Sequence, residues 1–221
     1  MAKKRGFRRS QECRRRSFAG HDRATVRRQD DAAMAEILLF HHALGLTAGV
    51  RAFAGRLRAA GHVVHLPDLY EGRRFTRLEE GVGHAEAVGF LTIIERGRRA
   101  AEGLPPGLVY AGMSLGVLPA QALAQTRPGA RGAVLLHSSV PLAEFGGAWP
   151  QGVPLQLHVM EGDAWGDVEV AREIAQTVES AELFLYPGDR HLFTDASLTD
   201  YDEGAAVLAM ERVLGFLEMV E

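Results

Sequence analysis

From Met34 onward, short apolar runs alternate with segments whose apolar residues recur every three or four positions. The runs "EILLFHH" (36–42), "HVVHLPD" (62–68), "LVYAGM" (108–113), "GAVLLHS" (132–138), "PLQLHVM" (154–160) and "AELFLYP" (181–187) read as strands buried on both faces. Between them lie helical patterns. In 47–61, Thr47 suits an N-cap, Val50, Phe53 and Leu57 share a face, and Gly61 suits a stop. Residues 78–101 predict one long amphipathic helix, with Val82, Ala85, Phe90, Ile93 and Ile94 as its buried stripe. "LGVLPAQALAQ" (115–125) is helical, with Pro119 about one turn in, where it is expected to distort the turn. Residues 167–178 form a further helix with Asp167 as N-cap, and 201–220 a closing one.

Strand alternating with helix predicts an α/β fold: a mostly parallel sheet with helices on both faces. No insertion is long enough for a large lid. The expected domain spans residues 34–221.

Composition changes this picture at one end. The chain carries a net charge of −3, but residues 1–33 contribute +7 and the remainder −10. The basic tail lacks apolar periodicity and is expected to be disordered. An over-long gene start is the preferred explanation, since Met34 opens directly on a strand. The arginines of the tail are the only hint of nucleic acid, which is not an expected partner. A secretory signal is not expected, because no apolar core follows the basic start. No run approaches the roughly 18 apolar residues of a membrane span. Cys13 is the only cysteine, so no internal disulfide forms; a reducing, cytoplasmic setting is expected.

Gly112-Met113-Ser114-Leu115-Gly116 is a G-x-S-x-G pentapeptide between a strand and a helix. That context suits a sharp turn presenting Ser114 as a nucleophile at the carboxyl edge of the sheet. A serine hydroxyl needs a base. Of nine histidines, His191 lies past the last strand at that same edge. His62, His65, His137 and His158 lie in or beside strands and read as core histidines, and His84 as solvated. The order serine, acid, histidine places the acid between 114 and 191. Asp163 is favoured, with Asp167 as the alternative. Oxyanion donors are expected at the N–H groups of Leu115 and Ala43. His41 and His42 are adjacent, but no neighbouring Asp, Glu or Cys completes a ligand set, so no metal is expected. His42 is expected in the pocket wall.

The chain from Met34 onward resembles the dienelactone hydrolase family of α/β-hydrolases. The resemblance rests on "HHALGLTAGVRAFAGRLRAAGHVVHLPDLYEG", "AGMSLGV", "HVMEGD" and "YPGDRHLF". It implies Ser114, Asp163 and His191 as nucleophile, acid and base, and oxyanion donors at Leu115 and Ala43. It implies no cofactor and a small ester or lactone as substrate. Three positions depart from the family pattern. Ser114 stands where the best-known members have cysteine. His42 stands where they have a glutamate that controls the thiol. Asp195 stands where they have an arginine that holds a substrate carboxylate, so an anionic substrate is expected to meet a like charge there. Arg73 and Arg74 are candidates to compensate. Acyl transfer or peptide cleavage by the same triad is the alternative activity, and a non-catalytic binding protein the alternative class.

Overall fold

Side chains of a strand alternate between faces, so a strand buried on both sides supplies two cores. In the first strand, β1 (Glu36–Phe40), Ile37 and Leu39 enter one core and Leu38 and Phe40 the other. The computed structural model describes residues 34–220. What sequence reading expects of residues 1–33 lies outside them.

β1 pairs with β2 (Val63–His65) and with β3 (Val109–Met113). β4 (Gly132–Leu136), β5 (Leu155–Met160) and β6 (Ala181–Tyr186) complete the sheet. The order is β2-β1-β3-β4-β5-β6, and every pairing is parallel. On one face lie α1 (Ala48–Ala59) and the closing helix α6 (Glu203–Met219), through Val50, Phe53, Leu57, Met210, Val213 and Phe216. The other face carries α2 (Leu78–Val88), α3 (Phe90–Ala100), α4 (Val117–Thr126) and α5 (Val168–Thr177). Because all six strands run the same way, their carboxyl ends share one edge. The segments after β1, β3, β5 and β6 meet there.

The chain departs from the predicted pattern in three places. The expected helix over 78–101 is two helices, broken at Gly89 with φ +91°. Gly89 N–H donates to the carbonyls of Ala85 and Glu86, closing α2. Its own carbonyl accepts from Thr92 and Ile93, opening α3. The break resets the helical phase. Phe90 therefore lies 43% exposed, while Ile93, Ile94 and Gly97 face the core. Second, Pro119 distorts nothing. A short 3-10 turn, Ser114–Gly116, precedes α4, and Pro119 is the third residue of that helix, where an N–H has no intrahelical acceptor. Third, Asp167 precedes α5 as expected but does not cap it with its side chain, which accepts from Ser138 Oγ at 3.1 Å. Thr47 and Asp202 do cap α1 and α6, accepting from the N–H groups of Val50 and Ala205.

The longest connection among the described residues, 137–154, is pinned to α4. Gln125 Nε2 donates to the carbonyls of Leu142, Phe145 and Ala148. No helix of the described residues is long and apolar enough to cross a membrane.

Gly97 marks where α3 presses on α4, since a Cβ there would collide with the rigid ring of Pro119. Overpacking costs about 1–3 kcal/mol, and alanine's helix propensity returns about 1 kcal/mol. Gly97→Ala is therefore expected to lower the unfolding free energy by roughly 1–2 kcal/mol in urea titrations. Gly55→Ala in α1, where a Cβ meets nothing within 4 Å, is expected to raise it by up to about 1 kcal/mol.

Candidate active site

The site begins with a turn that two glycines make feasible. A Cβ on Gly112 would strike the carbonyl of Gly116, and one on Gly116 would lie 2.5 Å from the carbonyl oxygen of Phe40. With both absent, β3 turns directly into the 3-10 segment, and Ser114 adopts φ +49°. This is the left-handed region, costly for a residue with a Cβ. Four non-glycine residues among those described have positive φ: Glu71, Ser114, His137 and Asp167. All four lie in segments that follow strand ends at the same edge of the sheet. Three of them, Ser114, His137 and Asp167, lie close to the converging side chains, whereas Glu71 pairs with Arg96 beside α3.

Ser114 Oγ lies 2.7 Å from His191 Nε2, and His191 Nδ1 lies 2.7 Å from Asp163 Oδ2. An ionised carboxylate only accepts. His191 therefore carries its proton on Nδ1, and its bare Nε2 accepts from the serine hydroxyl. The other carboxylate oxygen of Asp163 accepts from the N–H of Trp165 at 2.9 Å. Asp163 is 6% exposed and His191 5%. Their loops are fastened together. Glu161 N–H donates to the carbonyl of Tyr186, Gly162 N–H to that of Gly188, and Arg190 N–H to Met160 Sδ. Of the two candidate acids, Asp163 contacts His191, whereas Asp167 contacts Ser138.

Leu115 sits in the first turn after β3, where backbone N–H groups lack intrahelical acceptors. Ala43 follows β1. Its carbonyl packs against Gly81 of α2, and no acceptor among the described residues takes its N–H. Gly116 packs on the carbonyls of Phe40 and His41, so the turn after β3 lies against the start of the segment that carries Ala43.

The remaining expected site residues lie elsewhere than the sequence placed them. His42 is fully buried and contributes no surface to the pocket. Its Nδ1 accepts from Leu44 N–H at 3.3 Å, so Nε2 holds the proton and donates to Asp195 Oδ2 at 2.8 Å. Asp195 also turns away from the pocket and is 2% exposed. Its oxygens accept from His42, Thr47 Oγ1, and both the N–H and hydroxyl of Ser197. Burial works to raise its pKa, but these hydrogen bonds outweigh burial and hold it well below the usual carboxylate range. The expected repulsion of an anionic substrate by Asp195 therefore does not arise: the charge is enclosed. Arg73 and Arg74 are exposed on the segment before α2; Arg74 bridges to Gly45, and neither lines the cleft that holds His191.

His41 is equally enclosed. Its Nδ1–H donates to the carbonyl of His42 at 2.8 Å, and Nε2 accepts from Leu69 N–H at 2.9 Å. Burial lowers its pKa to about 4, so it is neutral near pH 7. His84, expected in solvent, packs edge-on against Tyr70 and alongside Phe75. Among the described residues no cluster of three or more His, Cys, Asp or Glu has the placement of a metal site.

A cleft of about 460 Å³ has His191 in its wall, with Leu44 and Trp165 and the carboxylates Glu79, Asp189 and Asp200. A larger one of about 710 Å³, beside α3, contains none of Ser114, Asp163 and His191. Sequence reasoning missed Trp165; the signal was a tryptophan two residues past the candidate acid, in a segment too polar to bury it. His137, expected as a core histidine, is one, and it sits beneath the site. His137 is fully buried, its ring centroid is 6.1 Å from that of His191, and its Nε2 bonds Thr194 Oγ1 at 2.7 Å.

A model of the dienelactone hydrolase family matches residues 23–220. No curated protein matches the chain. Among solved structures, the chain is similar to a dienelactone hydrolase-like promiscuous phosphotriesterase from metagenomic libraries, at 16% identity and TM-score 0.67, covering 84% of this chain and 86% of that one. A protein of Klebsiella pneumoniae subsp. pneumoniae assigned to the dienelactone hydrolases is 18% identical, with TM-score 0.63 and coverage of 86% and 89%. A structure reported for two metagenome-derived lipolytic enzymes is 18% identical, with TM-score 0.57 and coverage of 84% and 94%. At these identities the structural likeness speaks to the fold: an open α/β-hydrolase sheet.

The strain at Ser114 generates a test independent of catalysis. Glycine relieves a positive φ that alanine retains, and both lack the hydroxyl. Ser114→Gly is expected to unfold with a free energy roughly 1 kcal/mol above Ser114→Ala in the same denaturant titration.

Proposed function

The chain belongs to the dienelactone hydrolase family, and from that premise we propose that it is a serine hydrolase cleaving a small carboxylic ester or lactone. One observation carries the reading: the unbroken hydrogen-bonded line from Ser114 through His191 to Asp163, with 2.7 Å at each step.

Ser114 Oγ attacks the carbonyl carbon, and its proton passes to His191 Nε2. Asp163 holds the Nδ1–H and stabilises the imidazolium that results. The carbonyl oxygen becomes an oxyanion received by the N–H groups of Leu115 and Ala43; losing one such donor typically costs roughly 10²–10³ in rate. Collapse of the tetrahedral species breaks the carbonyl–alkoxy bond. His191 gives its proton to the leaving alkoxide, and the acyl group stays on Ser114. His191 then takes a proton from water as that water attacks the acyl carbon. The acid departs and the proton returns to Ser114. For a lactone, alcohol and acid are ends of one molecule. No cofactor enters these steps.

The cleft gives the substrate a sign. Among the described residues, Glu79, Asp189 and Asp200 line it, and no lysine or arginine does. A carboxylate on the substrate gains no cation there and meets like charges instead. Neutral or cationic esters fit this wall better, with Trp165 offering an apolar surface.

A fluorophosphonate probe is expected to label the wild-type protein and not Ser114→Ala. A folded wild type that takes no label would sink the enzyme reading. Asp163→Asn is expected to lower kcat by roughly 10³–10⁴ through loss of the correct histidine tautomer, whereas Asp167→Asn stays near wild type. The reverse ranking overturns the acid assignment.

The charge of the cleft is read with two esters of one alcohol, p-nitrophenyl butyrate and p-nitrophenyl hemisuccinate. The neutral ester is expected to have the higher kcat/KM by about tenfold or more at low salt, with the gap narrowing as salt rises. Equal or better turnover of the anionic ester would refute the sign assigned to the cleft.

A further inference from the structure

A second buried histidine–carboxylate pair lies behind the first, and it joins the two segments that the proposed reaction must hold in register. His42 immediately precedes Ala43 in the segment after β1. Asp195 lies four residues past His191, in the segment after β6. The pair itself, His42 Nε2–H to Asp195 Oδ2, spans 2.8 Å, with both side chains at or below 1% exposure.

The same carboxylate reaches a third element. Thr47, the N-cap of α1, donates its hydroxyl to Oδ2, while Oδ1 accepts from the N–H and hydroxyl of Ser197. Ser197 Oγ in turn accepts from Gly49 N–H, in the first turn of α1. Gly49 has no room for a Cβ because Asp195 occupies that space. A buried charge is costly unless it is fully hydrogen-bonded. Here four donors converge on one carboxylate. It holds the segment after β1 and the start of α1 against the segment after β6.

We propose that Asp195 and His42 form a positioning clamp that fixes the Ala43 N–H relative to His191, so that the oxyanion donor and the base meet one carbonyl group at the same time. Neither residue touches substrate. Both act through the main chain beside them. The inference rests on the serine-hydrolase reading, since it concerns the same reaction. Its physical basis is the steep dependence of catalysis on alignment: displacement of about 1 Å costs on the order of 10² in rate.

The test uses the full chain and p-nitrophenyl butyrate. His42→Leu removes the donor to Asp195, and His42→Gln keeps an N–H at similar reach. His42→Leu is expected to lower kcat by about 10- to 100-fold with KM barely moved. The acid limb of its pH profile is expected to stay in place, because the Asp163–His191 pair is untouched. His42→Gln is expected to recover much of the lost kcat. Combining His42→Leu with Asp195→Asn is expected to cost little more than the worse single change, as for two groups acting as one unit. Three results would each overturn the clamp: a folded His42→Leu with wild-type kcat, losses that add fully, or an acid limb that shifts with kcat. Should His42→Leu fail to fold, Ser197→Ala removes one donor from the far side of the carboxylate. A several-fold lower kcat in that variant supports the clamp, and wild-type kcat refutes it. A wild type labelled at Ser114 by fluorophosphonate, with the variants unimpaired, sinks the clamp alone. A wild type that neither turns over nor labels sinks the hydrolase reading beneath it.

Discussion

Two missing side chains govern the arrangement of the site. Without a Cβ at Gly112 and Gly116, the backbone after β3 folds back within van der Waals reach of itself and of the end of β1. That close approach forces Ser114 into a left-handed conformation and lifts its oxygen clear of the sheet edge. The direction of α4 follows. The strain belongs to a turn held on both sides: by the parallel ladder that ends at Met113 and Leu136, and by α4, which is buried along nearly its whole length. A structure that over-determines a turn in this way can keep a residue in a conformation it would not choose alone.

Histidine is the other resource of this chain. His41, His42, His137, His158 and His191 are all buried near or under the strand ends. Each has identifiable partners, and for four the bonding fixes the tautomer. His41 donates from Nδ1, His42 from Nε2, His158 from Nε2 and His191 from Nδ1. Burial lowers the pKa of His41 to about 4 and of His158 to about 3, and it pushes His137 well down. These three are neutral hydrogen-bonding groups at ordinary pH. Imidazole suits a polar core because one ring both donates and accepts. His158 does this for the edge strand, linking Tyr186 of β6 and Gln156 of β5 at 2.8 and 3.1 Å.

The fold was largely legible because a parallel sheet writes itself as uninterrupted apolar runs, and all six runs proved to be strands. The break at Gly89 was not legible. A glycine within an amphipathic pattern is compatible with a continuous helix, and only the backbone angle tells the two apart. Ser114, Asp163 and His191, which the structure joins by hydrogen bonds, were picked out in the sequence by their order and their places after strands. The misplaced ones share a cause. His42, Asp195, Arg73 and Arg74 are polar residues near the right edge of the sheet, and sequence proximity says nothing of which way a side chain points. The two arginines point outward, and the His42–Asp195 pair points into the interior. That pair was hidden because its members are 153 positions apart and each, taken alone, reads as a pocket residue. Asp167 misled differently. It holds the position of an N-cap but has φ +49°, and its carboxylate is engaged by Ser138.

The sheet order carries one more implication. Among the described strands, β6 has a single neighbour, β5, and the segment that follows β6 delivers His191. Ser114, by contrast, follows β3, which is paired on both sides. Ser114 and His191 thus hang from an interior strand and an edge strand respectively. An edge strand can open at a fraction of the free energy needed to unfold the whole domain. Such an opening would move His191 and leave the turn at Ser114 in place. For the proposed reaction, loss of turnover on warming and loss of the folded core would then be separate events.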